Sequence, residues 1–276
     1  MVDGDALLSP STTEAVLQRL GLDDRPEVSL DGLDRVYLAW CRNVPFDNLR
    51  KRIHLVATES GPLPGGEPED FFASYLAHGT GGTCWPTAAA LHALLASLGF
   101  DARRGSAAMH DAVAGPVHTH GTTIVRIEGA DHWVDASMLS NHPLPLRHGE
   151  PTHLDDAIRP MRAEPVADKW RVWWTNPAFD MEMGCLLLDD DTSLDHYLTR
   201  YEVSRTASPF NTGAYATRNF DGRTVTVAMG SRFERTAEGA AQSDPPGGLA
   251  ACLVEELGYS EEIVASLPPD DPPPTA

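Results

Sequence analysis

Apolar residues recur at helical spacing through the first hundred positions. Ala15, Val16, Leu17 and Leu20 follow Ser11, a residue suited to capping a helix start, and Gly21 stops the run. Leu33, Val36, Tyr37 and Trp40 form a second stripe, and Phe71, Phe72, Tyr75 and Leu76 a third. Between these two lies ESGPLPGGEPED, residues 59–70, whose Gly, Pro and acidic content marks a surface loop. In a fourth run Leu91, Leu94, Leu95 and Leu98 make one apolar stripe, with Pro86 suited to the first turn and Gly99 to the stop. Beyond Gly99 the period shortens. TTIVRI (122–127), HWVD (132–135), KWRVWW (169–174) and TVTVAM (224–229) read as strands, and LAACLVEELG (249–258) as a helix. The pattern predicts an α+β chain with a helical domain over 1–100, a β-rich domain over 101–200 and a mixed α/β unit over 201–267. The Pro- and Asp-rich residues 268–276 read as a disordered tail.

Composition narrows the functional classes. The 276 residues carry a net charge of −19, and a field of that sign repels nucleic acid and anionic membrane surfaces. Met1–Pro10 lacks the basic start and apolar run of a secretory leader, and no apolar run reaches the length of a membrane span, so a soluble cytoplasmic chain is expected. Cys41, Cys84, Cys185 and Cys252 are scattered with no CxxC pair, which predicts free thiols.

One thiol stands apart. In GGTCWPT, residues 81–87, Cys84 falls at the start of the fourth helix, where unsatisfied N–H groups and the positive end of the dipole favour a thiolate. Gly81 and Gly82 are expected to leave room for a ligand. The competing reading is a buried cysteine acting as a small hydrophobe, and a partner base decides between the two. HTHGTTIVRIEGADHWVDAS, residues 118–137, reads as a hairpin turning at Glu128 and Gly129. In that register Arg126 faces Asp131, and His120 lies diagonally from Asp135 on one face, within reach of a hydrogen bond. A three-residue loop would place them on opposite faces. His118 shares the face of His120 but sits two residues further from Asp135. A carboxylate that fixes an imidazole while the other ring nitrogen takes a thiol proton is what an activated cysteine needs, and Cys84, His120 and Asp135 supply those roles. A zinc site from Cys84, His118 and His120 lacks a fourth ligand and compact spacing, so no metal is expected.

These segments resemble the arylamine N-acetyltransferases. VPFDNL (44–49) is similar to their IPFENL motif, GGTCW (81–85) to the core of RGGxCF, and THGTTIVRI (119–127) with WVDAS (133–137) to the strands bearing the base and its carboxylate. PLPL (143–146) and YEVSRTASPFN (201–211) follow in the family's order. The resemblance implies a helical bundle, a middle β-barrel and a C-terminal α/β lid, with Cys84, His120 and Asp135 as the catalytic triad. It implies ping-pong transfer of an acyl group through a cysteine thioester to an amine, with no permanently bound cofactor. Phe46 and Phe210 fall at family positions near the acyl and acceptor pocket, and Gly82 and Trp85 beside the nucleophile complete the expected substrate contacts. Thr80, Pro86 and Ala136-Ser137-Met138 depart from the family's arginine, polar residue and Gly-Phe-Gly run. Those departures point to an acyl thioester other than acetyl-coenzyme A, carried on coenzyme A or on an acyl carrier protein, unless Arg50, Lys51, Arg52, Arg103 or Arg104 gather to receive phosphates. A cysteine hydrolase of esters or amides and a non-catalytic binding protein remain as alternatives on the same fold.

Overall fold

The structure, a computed structural model, describes residues 7–57, 60–109 and 117–270. Its first helix, α1 (Pro10–Arg19), starts two residues earlier than expected, because Ser9 and not Ser11 supplies the cap: Ser9 Oγ accepts the Thr12 N–H at 3.1 Å. Helix α2 (Leu30–Asn43) is capped by Ser29 and buries Leu33, Val36, Tyr37 and Trp40 as the stripe predicts. A two-residue strand, β1 (Phe46–Asp47), precedes α3 (Leu49–Val56). Helix α4 (Pro68–His78) begins inside the segment expected as loop, so that Glu69 and Asp70 sit in its first turn, where acidic residues are favoured. Helix α5 (Cys84–Leu98) is buried on nearly every side instead of along one stripe, since α4 flanks it and the sheet described next covers it.

Eight antiparallel strands form that sheet: β2 (Asp101–Met109), β3 (His120–Ile127), β4 (Ala130–Val134), β5 (Leu144–Leu146), β6 (Thr152–Leu154), β7 (Met161–Val166), β8 (Lys169–Asn176) and β9 (Met181–Asp189). Their spatial order is β5-β4-β3-β2-β9-β8-β7-β6. The end strands β5 and β6 lie side by side, with the Thr152 hydroxyl donating to the Pro145 carbonyl, so the sheet is a nearly closed barrel. Ile124, Trp133, Val172 and Leu187 fill it. The β3–β4 hairpin has the expected register, Arg126 opposite Asp131 and Ile127 opposite Ala130. Glu128 (φ 53°) and Gly129 (φ 82°) form its two-residue turn, a geometry that requires positive φ at both positions.

Helix α6 (Leu194–Val203) then returns across α5. A second sheet is built from β10 (Tyr215–Phe220), β11 (Arg223–Ala228), β12 (Ser231–Thr236) and β13 (Gly239–Ser243) in order, with β1 added at the edge of β10. The helix expected over 249–258 is shorter and irregular: α7 (Leu249–Ala251) runs into a π-helical turn, Cys252–Glu256. Its Cys252 and Leu253, with Leu257 and Tyr259, pack on Val225 and Val227 of β11, and the short α8 (Glu261–Ala265) closes the layer. Disorder expected from Pro268 does not begin there. Asp270 pairs with the buried Arg52 at 2.8 Å and accepts the Ala214 N–H, and the Pro269 carbonyl accepts from Arg52; residues 271–276 lie outside the described residues. Among the described residues no helix is long and apolar enough to cross a membrane.

Backbone contact at one point ties the helical region to the second sheet. Phe46 bridges Gly82, the Asp47 N–H donates to the Gly82 carbonyl at 3.0 Å, and a Cβ at Gly81 would sit 1.7 Å from the Pro45 carbonyl oxygen. A methyl group cannot occupy that space without moving backbone. Gly81→Ala is therefore expected to cost about 3 kcal/mol or more in denaturant unfolding, at the upper end of overpacking effects. An unfolding midpoint equal to that of the parent would refute this close packing.

Candidate active site

Cys84 is the first residue of α5 and is half-buried. No side chain caps this helix start, no acidic residue occupies its first turn, and Pro86 brings no N–H, so the positive end of the helix is left for whatever lies beside the thiol. The Cys84 thiol lies 3.8 Å from the Thr119 carbonyl. The next residue, His120, opens β3 and is 5% exposed. Its Nε2 is 2.7 Å from Oδ2 of Asp135, which is fully buried one residue past the end of β4. The Cys84 side chain lies close enough to raise the imidazole further. With Nε2 engaged by Asp135, Nδ1 is the nitrogen left for the thiol.

Electrostatics of this group are set by competing effects. Burial disfavours a charged imidazole, yet the Asp135 carboxylate, its hydrogen bond and the Cys84 side chain outweigh burial and hold His120 well above the usual histidine range. Burial likewise works against the Asp135 carboxylate, but the imidazole and the N–H groups of Met138 and Ser137 hold it below its ordinary value. Those N–H groups donate to Oδ1 at 2.9 Å each, and the Tyr37 hydroxyl donates to the Asp135 carbonyl at 2.7 Å. His118 lies elsewhere: it bonds Ser106, stacks edge-on to His196 with ring centres 5.1 Å apart, and sits 3.8 Å from Asp189.

Two residues of the VPFDNL segment hold the loops around the thiol. The buried Asp47 accepts the Gly81 N–H at 2.6 Å, the Leu49 N–H at 3.0 Å and the Tyr259 hydroxyl at 3.0 Å. Burial pushes Asp47 up to about 6, and those three donors restrain the rise. Asn48 donates to the Phe210 and Gly213 carbonyls at 2.8 and 2.7 Å and accepts the Tyr215 N–H at 2.8 Å, which fixes the loop opposite. Neither had been singled out from sequence, although both lie in the quoted motif; short polar side chains inside an apolar run were the signal. Tyr37 was read only as a core residue of α2, and Arg159 left no signal in the spacing.

A cavity of about 410 Å³ opens beside Cys84 and His120. Phe46, Trp85 and Phe210 line it, as expected of substrate contacts, and so do Ser137, Met138 and Arg159. Phe46, Phe210 and Tyr215 pack edge-on with ring centres 5.2 to 5.7 Å apart, and Trp85 rests on Tyr197 at 5.0 Å. Gly82 is placed differently from expectation: it is not on the cavity wall, and a Cβ there would meet Pro86 at 3.0 Å and Phe71 at 3.3 Å. The two glycines thus admit close approach of neighbouring protein, Gly81 against Pro45 and Gly82 against Pro86 and Phe71.

Fold and site converge with the sequence: the chain belongs to the N-acetyltransferase family, whose sequence profile matches residues 29–244. It is 28% identical over 213 residues to the arylamine N-acetyltransferase of Mycolicibacterium smegmatis, covering 68% of this chain and 74% of that protein. It is also 28% identical over 124 residues to proansamycin X synthase of Amycolatopsis mediterranei, covering 44% of this chain and 46% of that protein. The fold matches a solved Mycobacterium smegmatis arylamine N-acetyltransferase with a TM-score of 0.77 at 19% identity, over 92% of this chain and 97% of that one. The Mycobacterium marinum enzyme, solved in complex with CoA, matches at 0.74 and 19% identity over 92% and 93%.

Thiol chemistry should follow burial. Burial pushes Cys41 up to about 12 and Cys252 up to about 11, and Cys185 is buried, whereas Cys84 is half-exposed beside an imidazole. Iodoacetamide at about pH 6, below the roughly 8.5 of an unperturbed thiol, is expected to alkylate Cys84 first. Peptide mapping that finds Cys41 or Cys252 labelled as fast would overturn this order.

Proposed function

We propose that the protein forms amides by ping-pong acyl transfer, with Cys84 as nucleophile, His120 as proton carrier and Asp135 as its orienter. The observation that supports this most directly is the 2.7 Å His120–Asp135 bond beside the Cys84 thiol, with both His120 and Cys84 on the cavity wall. In the first half, the proton of the Cys84 thiol rests on His120, as the raised imidazole favours, and the Sγ thiolate attacks the carbonyl of an acyl thioester. The tetrahedral oxyanion meets the uncapped N–H groups at the start of α5. Collapse breaks the bond to the leaving thiolate, which receives the proton from His120, and the acyl group stays on Cys84. In the second half an amine attacks the new thioester, His120, left neutral by the first half, removes the amine proton, and collapse releases the amide and leaves the Cys84 thiolate beside the imidazolium. No permanently bound cofactor or metal enters these steps; the acyl thioester is a co-substrate.

The donor in this reading is an acyl thioester other than acetyl-coenzyme A, borne by coenzyme A or an acyl carrier protein. Two features support it. Ser137 and Met138 line the cavity where the family has phenylalanine and glycine, so a methionine side chain stands at a glycine position. The basic residues that might have received phosphates are committed to the protein: Arg50 to Asp70 at 3.0 Å, Arg52 to Asp270, Arg103 to Asp131 and Asp190, Lys51 to Ser204, and Arg104 to His92.

Intact-mass measurement tests the scheme. Brief exposure to longer acyl thioesters is expected to add one acyl group, absent in Cys84→Ser, and an arylamine is expected to discharge it as amide. Complete acetylation at micromolar acetyl-coenzyme A would overturn the donor assignment, and discharge to free acid at a rate indifferent to amine would make the protein a hydrolase. Asp135→Asn removes the charge that chiefly raises His120, so burial then pushes the imidazole down and the imidazolium is lost as pH rises through a lower range than in the parent. Turnover is expected to fall by roughly 10²–10⁴ and alkylation of Cys84 at pH 6 by about tenfold or more. His118→Ala, by contrast, should change turnover less than about threefold; a loss as large as that of His120→Ala would reverse the assignment of the base.

A further inference from the structure

Arg159 lines the cavity that Cys84 and His120 share, is 3% exposed, and has no carboxylate paired with its guanidinium among the described residues. Its Nε donates to Asn219 Oδ1 at 3.2 Å and Thr224 Oγ1 at 3.1 Å, and its Nη2 donates to Asn219 Oδ1 at 3.0 Å. Nη1 donates to nothing among the described residues. The support is rigid: Asn219 Nδ2 donates to the Leu139 carbonyl at 2.7 Å and to Asn141 Oδ1 at 2.9 Å, which turns its oxygen toward the arginine. Asp156 holds the main chain by accepting the N–H groups of Ile158 and Arg159 at 2.7 Å each, and its other oxygen takes Asn141 Nδ2 at 3.0 Å.

Such an arrangement is costly for a protein alone. A buried guanidinium held by neutral oxygens loses the hydration of its charge, and neutral acceptors replace it incompletely. Burial pushes Arg159 down to about 10, with nearby Tyr215, Cys41, Tyr37 and, least, the Asp156 carboxylate, not bonded to the guanidinium, working the other way, so the group is still cationic at neutral pH. A purely structural staple between the barrel and the second sheet would need only the two nitrogens already engaged. The third, with its donors, meets no acceptor among the described residues.

We infer that Arg159 is the receptor for an anionic oxygen, foremost a carboxylate, on the molecule that occupies the cavity beside Cys84. Resting on the acyl-transfer reading above, this makes the enzyme selective for a substrate that carries a carboxylate in addition to its reacting amine or acyl group. An aromatic ring suits the space between, where Phe46, Phe210 and Tyr215 present their edges and faces. Guanidinium-to-carboxylate bonds are charge-assisted and directional, so a neutral isostere should lose most of that gain.

Binding to Cys84→Ala protein, which forms no thioester, tests the inference without depending on turnover. One pair of calorimetric titrations compares para-aminobenzoate with para-aminobenzamide; a second compares succinyl and butyryl oxygen esters of pantetheine. A preference of about tenfold or more for the carboxylate in the first pair names the amine as its source, and in the second pair the acyl group. With Arg159→Gln added, the preference should fall to near parity while the neutral member of the pair still binds. Equal binding of charged and neutral members in both pairs would overturn the inference, as would a preference that survives Arg159→Gln. Should that variant not fold, the comparison in Cys84→Ala protein stands by itself. A carboxylate preference with no acyl adduct on the parent enzyme would sink the transferase reading and leave the anion site intact.

Discussion

A carboxylate sealed from water is the constraint around which the site is arranged. Asp135 has no exposure, and an ionised group in that position persists only if every oxygen is met. One oxygen takes the imidazole and the other takes two consecutive main-chain N–H groups. The second requirement bends the chain sharply after β4, and Leu139 (φ 52°) and Asn141 (φ 65°) adopt left-handed conformations to complete the bend. Tyr37 ties that bend to α2 through the Asp135 carbonyl and Ser140. The same bend presents the Leu139 carbonyl and the Asn141 side chain to Asn219, and so positions Arg159. One buried charge therefore governs the imidazole on one side of the cavity and, three contacts away, the guanidinium on another.

The thiol depends on a separate restraint. Helix α5 begins with no side-chain cap, so its first residue is held from behind, by Asp47 gripping Gly81 and by β1 lying against Gly82. That grip explains why two glycines precede the cysteine: the chain passes too near the Pro45 carbonyl for a side chain at Gly81. Asn48 applies a similar hold to the Phe210–Tyr215 loop, so adjacent residues of one short segment set both the Cys84 thiol and the aromatic wall it faces.

Much of this was legible in sequence where the reason was local. The alternation of the 118–137 run and its Glu-Gly turn determine a shared face for His120 and Asp135, and the barrel retains that register. The helix-start position of Cys84 follows from Pro86, Leu91 and Gly99. What escaped was anything whose cause lies far along the chain. Gly82 reads as open space until Phe71 and Pro86 are seen against it. Arg159, in a stretch with no helical or strand period, acquires meaning only from Asn219 and Thr224, some sixty positions on. Asp270 falls in a segment whose composition signals disorder, yet a buried arginine 218 positions earlier holds it.

The strand β1 is two residues long, but it stitches the first sixth of the chain to the last quarter, and Asn48 spans 162 positions to reach Phe210. During synthesis α5 leaves the ribosome well before the strand that will pair with β1 has been made. The barrel can close and the imidazole can meet its carboxylate while the aromatic wall of the cavity is still missing. Loop closure over such a distance is entropically unfavourable until its contacts form. Closure of the aromatic wall is thereby deferred until β10 has been made, so a chain cut short before that strand would carry the Cys84 thiol without the wall that faces it.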